Sequence, residues 1–182
     1  YQNIQGWFTF PNLYKEIVEK FENNSHFVEI GTWLGQSASF MAVEIENSGK
    51  NIKFDCIDTW RGSQEHSGSQ EVVSDTLYDS FLKNIEPIKE YINPIRMSSE
   101  DAVHLYDDDS LDFVFIDASH DYENVKKDIN LWYPKVKSGG IFAGHDYVPC
   151  WSGVIQAVDE FTKKHDYSLI VKDECCWGIL KR

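Results

Sequence analysis

The stretch Glu29-Ile30-Gly31-Thr32-Trp33-Leu34-Gly35-Gln36-Ser37 constrains this chain more than any other. It closes an apolar run over 26–30 that reads as a strand, and it leads into a helix that runs to about 46. A glycine turn between strand and helix is where open α/β sheets hold ligands, outside the carboxyl ends of their strands. Gly31 lets the backbone approach a ligand closely, and Gly35 lets the next helix start tightly. A dinucleotide site needs a second glycine where Trp33 stands, and a bulky ring there blocks a pyrophosphate. A P-loop needs a Gly-Lys-Ser/Thr ending, which this stretch lacks. What is left is a turn suited to a nucleoside without a pyrophosphate, or a plain tight turn.

The rest of the chain alternates strand and helix, which implies a doubly wound, mostly parallel sheet covered on both faces. Pro11 suits a first helical turn, and Leu13, Ile17, Val18 and Phe21 make one apolar stripe over 11–21. Strands are expected at 54–57, 94–97, 111–116 and 141–143, the last after a Gly139-Gly140 turn. The nearly all-apolar run 111–116 reads as a central buried strand. Helices are expected at 75–85, 100–105, 122–133 and 154–164. Two strands at 167–171 and 176–180, with a tight turn at Asp173-Glu174, form an antiparallel hairpin. Residues 61–74 are mostly polar and rich in Gly, Ser and Gln, and are expected to be a mobile loop or lid.

The length of 182 residues is that of one α/β domain, and 42% hydrophobic residues exclude a disordered chain. Starting at Tyr1, it is expected to be a trimmed chain or a piece of a longer one. No apolar run approaches the roughly 20 residues of a membrane span. A net charge of -13 argues against a nucleic-acid partner, which needs a basic surface. Cys56, Cys150, Cys175 and Cys176 form no C-x-x-C pair and read as reduced thiols, so a cytoplasmic setting is expected.

Chemistry gathers at the strand ends. Asp58 follows the second strand, where an acid can accept the hydroxyls of a ribose; an exposed strand-end aspartate is the plain alternative. In Ser98-Ser99-Glu100-Asp101, Ser99 either caps a helix or meets an adenine. Asp117-Ala118-Ser119-His120 follows the fourth strand, and His145-Asp146 the fifth. Two carboxylates and two imidazoles at one mouth can bind a divalent cation and supply a base. Trp33 and Trp60 offer aromatic walls for an acceptor or, equally, core packing.

Taken together, Glu29-x-Gly31-x-x-x-Gly35-x-Ser37, Asp58-Thr59-Trp60-x-Gly62, Asp117-x-x-His120 and Gly139-Gly140-x-x-x-Gly144-His145-Asp146-Tyr147 resemble the small O-methyltransferases of the methyltransferase 24 type, which use S-adenosylmethionine (SAM). These are similar to macrolide-sugar O-methyltransferases and, more distantly, to catechol O-methyltransferases. The resemblance covers about 25–181. It implies that Glu29 supports the loop while Gly31, Thr32, Trp33 and Ser37 lie along SAM. It also implies that Asp58 holds the ribose and that Ser99 and Glu100 lie near the adenine. Asp117 and Asp146 are implied metal ligands, with His145 beside them where relatives often carry an acid, a change that favours Mn or a later transition metal over Mg. His120 matches the base, and the implied acceptor is a small hydroxylated molecule, preferably a sugar. The rival expectations are a nicotinamide oxidoreductase on the same sheet and a nucleoside-binding module without turnover.

Overall fold

In the computed structural model, which describes residues 1–63 and 67–182, the apolar run 111–116 forms the middle strand of seven. The strands are β1 (His26–Ile30), β2 (Lys53–Asp58), β3 (Asn93–Arg96), β4 (Leu111–Ile116), β5 (Val136–Gly144), β6 (Ile170–Lys172) and β7 (Cys176–Leu180). Their order is β3-β2-β1-β4-β5-β7-β6. β1 to β5 run parallel, while β7 pairs antiparallel with both β5 and β6. The expected doubly wound sheet with a terminal hairpin is therefore present.

Side chains alternate across the sheet, and each face takes its own helices. Phe27, Phe54, Phe113 and Phe115 pack with α1 (Pro11–Lys20), α2 (Gln36–Ser48) and α4 (Leu77–Ile85). Val28, Ile30, Val114, Ile116 and Phe142 pack with α5 (Ser99–Ala102), α6 (Tyr122–Trp132) and α7 (Ser152–Lys164). Fully burying each such side chain is worth roughly 1.5–3 kcal/mol. β1 and β4 run parallel, so both chain exits lie at one edge of the sheet, and the strand order reverses between them. Asp58 ends β2 at that edge, Asp117 follows β4, and His145 and Asp146 follow β5.

Four expectations need correction. β5 begins at Val136 and runs through Gly139 and Gly140, because Val136 already pairs with Leu111 before the register shifts. The region 61–74 contains a short helix, α3 (Gln70–Val73), capped by the Ser69 side chain, so it is not all loop. Residues 64–66 of the expected lid lie outside the described residues. The cap of α5 is Ser98, which accepts from Asp101 N, rather than Ser99. β6 starts at Ile170; Tyr167, expected to begin it, sets its ring against Tyr133 instead, centroids 5.8 Å apart.

Candidate functional site

The glycine turn is shaped by acids below and beside it. Glu29 is fully buried on β1, where Tyr14 Oη donates to Oε2 at 3.0 Å and Ser37 Oγ to Oε1 at 2.5 Å. Burial pushes its carboxyl up to about 8, against those two hydrogen bonds. Glu29 thus ties α1, β1 and the first turn of α2 into one unit. Asp58, at the end of β2, accepts from Thr32 N and Trp33 N on Oδ2 at 2.9 and 3.0 Å, and from Trp60 N on Oδ1 at 2.8 Å. A carboxylate has about four acceptor positions, so most of its capacity holds the turn. Burial raises the Asp58 carboxyl in spite of these bonds. Gly31 and Gly35 both have positive φ, 85° and 87°. The neighbour that crowds Gly31 is the Asp117 backbone, and the neighbour of Gly35 is the Phe81 ring.

Two cavities flank this turn. One, of about 320 Å³, runs between Asp58, Ser99, Glu100 and Asp128. The other, of about 640 Å³, runs between Trp7, Thr32, His120, His145, Asp146 and Trp151. Gly31, Trp33, Asp117 and Ala118 line both and form the wall between them. Thr32 Oγ1 is buried beside the larger cavity and has no hydrogen-bond partner among the described residues.

The acids and imidazoles converge on the larger cavity. His120 Nε2 lies 2.8 Å from Asp146 Oδ2, and its ring stacks on Trp151 with centroids 4.2 Å apart. His145 Nδ1 lies 3.2 Å from Asp146 and 3.5 Å from Asp117. Its Nε2 lies 3.0 Å from Thr9 Oγ1 and 3.1 Å from Cys175 Sγ. Burial works to lower the His145 imidazole, but hydrogen bonds and charge from Asp117 and Asp146 outweigh it and raise it to about 11. Burial works to raise the Asp146 carboxyl, but hydrogen bonds from the two histidines hold it well below the usual carboxylate range. Asp146 takes a positive φ of 61°, as do several other turn residues, among them Asp109 and Asp166 far from the site. Ligand atoms of Asp117, His120 and Asp146 lie within 4.8 Å of one another.

Comparison with known proteins agrees with this geometry. The model of the methyltransferase domain, methyltransferase 24 type, matches residues 28–147, which span the glycine turn, Asp58, Asp117, His120, His145 and Asp146. The chain belongs to this methyltransferase-domain family. An uncharacterized protein of Acanthamoeba polyphaga mimivirus is 30% identical over 142 residues, covering 75% of this chain. The chain spans 13% and 58% of the lengths of two curated relatives it matches. Among solved structures, the O-methyltransferase NovP superposes with a TM-score of 0.72 at 19% identity, covering 95% of this chain and 79% of that one. An O-methyltransferase from Bacillus cereus in complex with SAH superposes with a TM-score of 0.63 at 16% identity, covering 99% and 86%. At these identities the likeness is one of fold.

Within this methyltransferase domain the sequence-derived residues divide between the two cavities. Gly31, Thr32, Trp33, Ser37, Asp117, His120, His145 and Asp146 line the larger one, and Asp58, Ser99 and Glu100 the smaller. Glu29 lies beneath, reaching neither. The Ser99 hydroxyl is already engaged, donating to Asp128 at 2.5 Å and accepting from Trp132 Nε1 at 2.7 Å. Glu100 forms an ion pair with Lys127. Trp60 is 1% exposed, packed on Tyr78 and Phe81, so it is core and not an acceptor wall. Sequence reasoning missed residues 5–10, which cross the mouth ahead of α1, and also Cys175 and Trp151. An aromatic cluster, Trp7-Phe8-Thr9-Phe10, was the available signal.

Proposed function

We propose that this domain transfers the methyl group of S-adenosylmethionine to a hydroxyl of a small acceptor, with a sugar preferred. The observation that carries this reading is the pair of cavities meeting at the Gly31–Asp117 wall, one with acids placed for a nucleoside and one with bases placed for a hydroxyl. Asp58 keeps the turn in shape and borders the smaller cavity, where a ribose would lie. Ser99 and Glu100 border the adenine end, and Thr32 Oγ1 offers a hydrogen bond beside the turn. Trp7, Trp33 and Trp151 give the larger cavity flat apolar walls that suit the faces of a sugar ring. Its free cysteines fit a reducing compartment such as the cytoplasm.

The sulfonium of SAM supplies an already activated methyl group, so the chain has to align, exclude water and remove a proton. His120 accepts the proton of the acceptor hydroxyl; Asp146 orients its ring and Trp151 fixes its plane. The donor set also fits a divalent cation, magnesium or manganese. Asp117 and Asp146 would hold it, with His145 Nδ1 within reach of both. Such an ion would polarise the acceptor hydroxyl.

The experiment is incubation with isotopically labelled SAM and a panel of glycosides and phenols, read by product mass, alongside calorimetry of SAM binding. Labelled methyl on a hydroxyl oxygen is expected. Absence of SAM binding by the folded chain overturns the reading.

A further inference from the structure

The His145 ring faces two chemically different neighbourhoods. On the Nδ1 side stand the hard oxygens of Asp117 and Asp146. On the Nε2 side stand sulfur atoms: Cys175 Sγ is 3.1 Å away, and a ring nitrogen of His145 and the Cys175 and Cys176 Sγ atoms all lie within 4.8 Å of one another. We propose that His145, Cys175 and Cys176 form a binding site for a soft divalent ion of the zinc class, distinct from the carboxylate cluster of Asp117, His120 and Asp146.

Donor chemistry is the first argument. Two cysteine sulfurs and one imidazole, which give up their protons as the ion binds, are a set that selects zinc-class ions over magnesium, calcium or manganese. Bonds of about 2.3 Å to sulfur and 2.0 Å to nitrogen separate tetrahedral ligand atoms by roughly 3.5–3.8 Å. The three ligand atoms, all within 4.8 Å of one another, stand close to that spacing. Three protein ligands leave a fourth position. Cys175 and His145 line the larger cavity, so an ion has a route in, and the Thr9 hydroxyl stands beside the opening.

The far side of the ring is the second argument. A histidine that binds zinc through one nitrogen usually donates its other N–H to a carboxylate, which fixes the tautomer. His145 already points Nδ1 at two carboxylates.

The third is that the main chain holds the thiols in place. The turn 173–175 between β6 and β7 has Asp173 and Glu174 at positive φ, 48° and 65°. The Asp173 carboxylate accepts from Asn12 Nδ2 and Leu13 N at 2.9 and 3.0 Å, and Cys175 O accepts from Tyr147 N at 2.9 Å. Gly144 pairs with Trp177, which sets the start of β7 against the end of β5. The donors are thus assembled by the fold and need no ion to gather them.

The test is titration of the reduced, chelator-washed full chain with Cd²⁺, whose thiolate coordination produces an ultraviolet charge-transfer band. A band saturating at a single equivalent is expected, displaced by Zn²⁺ and untouched by Mg²⁺. Cys175→Ser should abolish it, and Cys150→Ser, at an exposed cysteine, should keep it. A second measurement needs no variant: Zn²⁺ should slow alkylation of Cys175 at least tenfold without slowing that of Cys150, as mapped by peptide mass. A parent chain without the band, a Cys175→Ser chain that keeps it, or a Cys175 unprotected by Zn²⁺ overturns the assignment.

Discussion

Gly31 and Asp117 touch through their backbones: a Cβ added at Gly31 would stand 2.1 Å from the Asp117 carbonyl oxygen. No real Cβ contact is that short, and neither backbone is a flexible side-chain end. The exits of β1 and β4 are therefore locked together at the wall between the cavities. Gly31→Ala must push those exits apart or leave its φ of 85°. The expected cost is about 3 kcal/mol or more of stability, read by chemical denaturation. A variant within about 0.5 kcal/mol of the parent would show that the wall yields freely.

Asp58 separates a binding role from a structural one. Its carboxylate accepts three main-chain N–H groups in the turns after β1 and β2. Asp58→Ala should weaken SAM binding by about 1–3 kcal/mol and also lower stability by a comparable amount. Calorimetry and thermal unfolding on the same sample read both. Loss of affinity with unchanged stability would mean that the carboxylate serves the ligand alone.

Away from the mouth, Asp55 makes the fold sensitive to acid. It is 1% exposed, and burial works to raise its carboxyl. Hydrogen bonds from His26, Asn93 and Tyr106 outweigh burial and lower it to about 2. A carboxyl lowered in the folded state contributes stability that is full above its unfolded value near ~3.9 and is lost as pH falls through the folded value. Stability should therefore fall by about 2 kcal/mol between roughly pH 5 and 1 on account of this group. Urea unfolding across that range should show a shallower slope in Asp55→Asn. Equal slopes would remove Asp55 as the cause.

His120→Ala should lower turnover by about 10²–10⁴-fold while SAM affinity stays nearly unchanged. Its ring lies against Asp146 and Trp151 in the larger cavity, apart from the nucleoside side. Near-normal turnover would place the base elsewhere. Thorough chelation should also lower turnover, through loss of an ion at Asp117 and Asp146; an unaffected rate would exclude that ion.

Much of this architecture was legible in local pattern. The apolar runs at 26–30, 111–116 and 176–180 match β1, β4 and β7 residue for residue, because buried strands announce themselves by composition. The glycine turn and the strand-end acids were legible because open sheets bind ligands at their carboxyl ends. What escaped depends on register and crossing. Cys175 reaches His145, thirty residues away, through the antiparallel pairing of β7 with β5, which no local periodicity encodes. Residues 5–10 reach the mouth only because α1 lies across the sheet. Trp33 and Trp60 look alike in sequence, yet one lines both cavities and the other fills the core beside Phe81.

The wall of Gly31 and Asp117 also bears on the order of events under the proposed reaction. The two cavities meet there, so donor and acceptor have to be bound together, with the sulfonium methyl and the acceptor hydroxyl in contact, before anything can happen. Among the described residues where the cavities meet, Gly31 has no side chain, Trp33 and Ala118 carry no nucleophile, and Asp117 faces the imidazole of His145, so none stands ready to carry the methyl group in between. The carbon is therefore handed over in a single displacement, and a methyl group made chiral with hydrogen isotopes would leave with its handedness inverted.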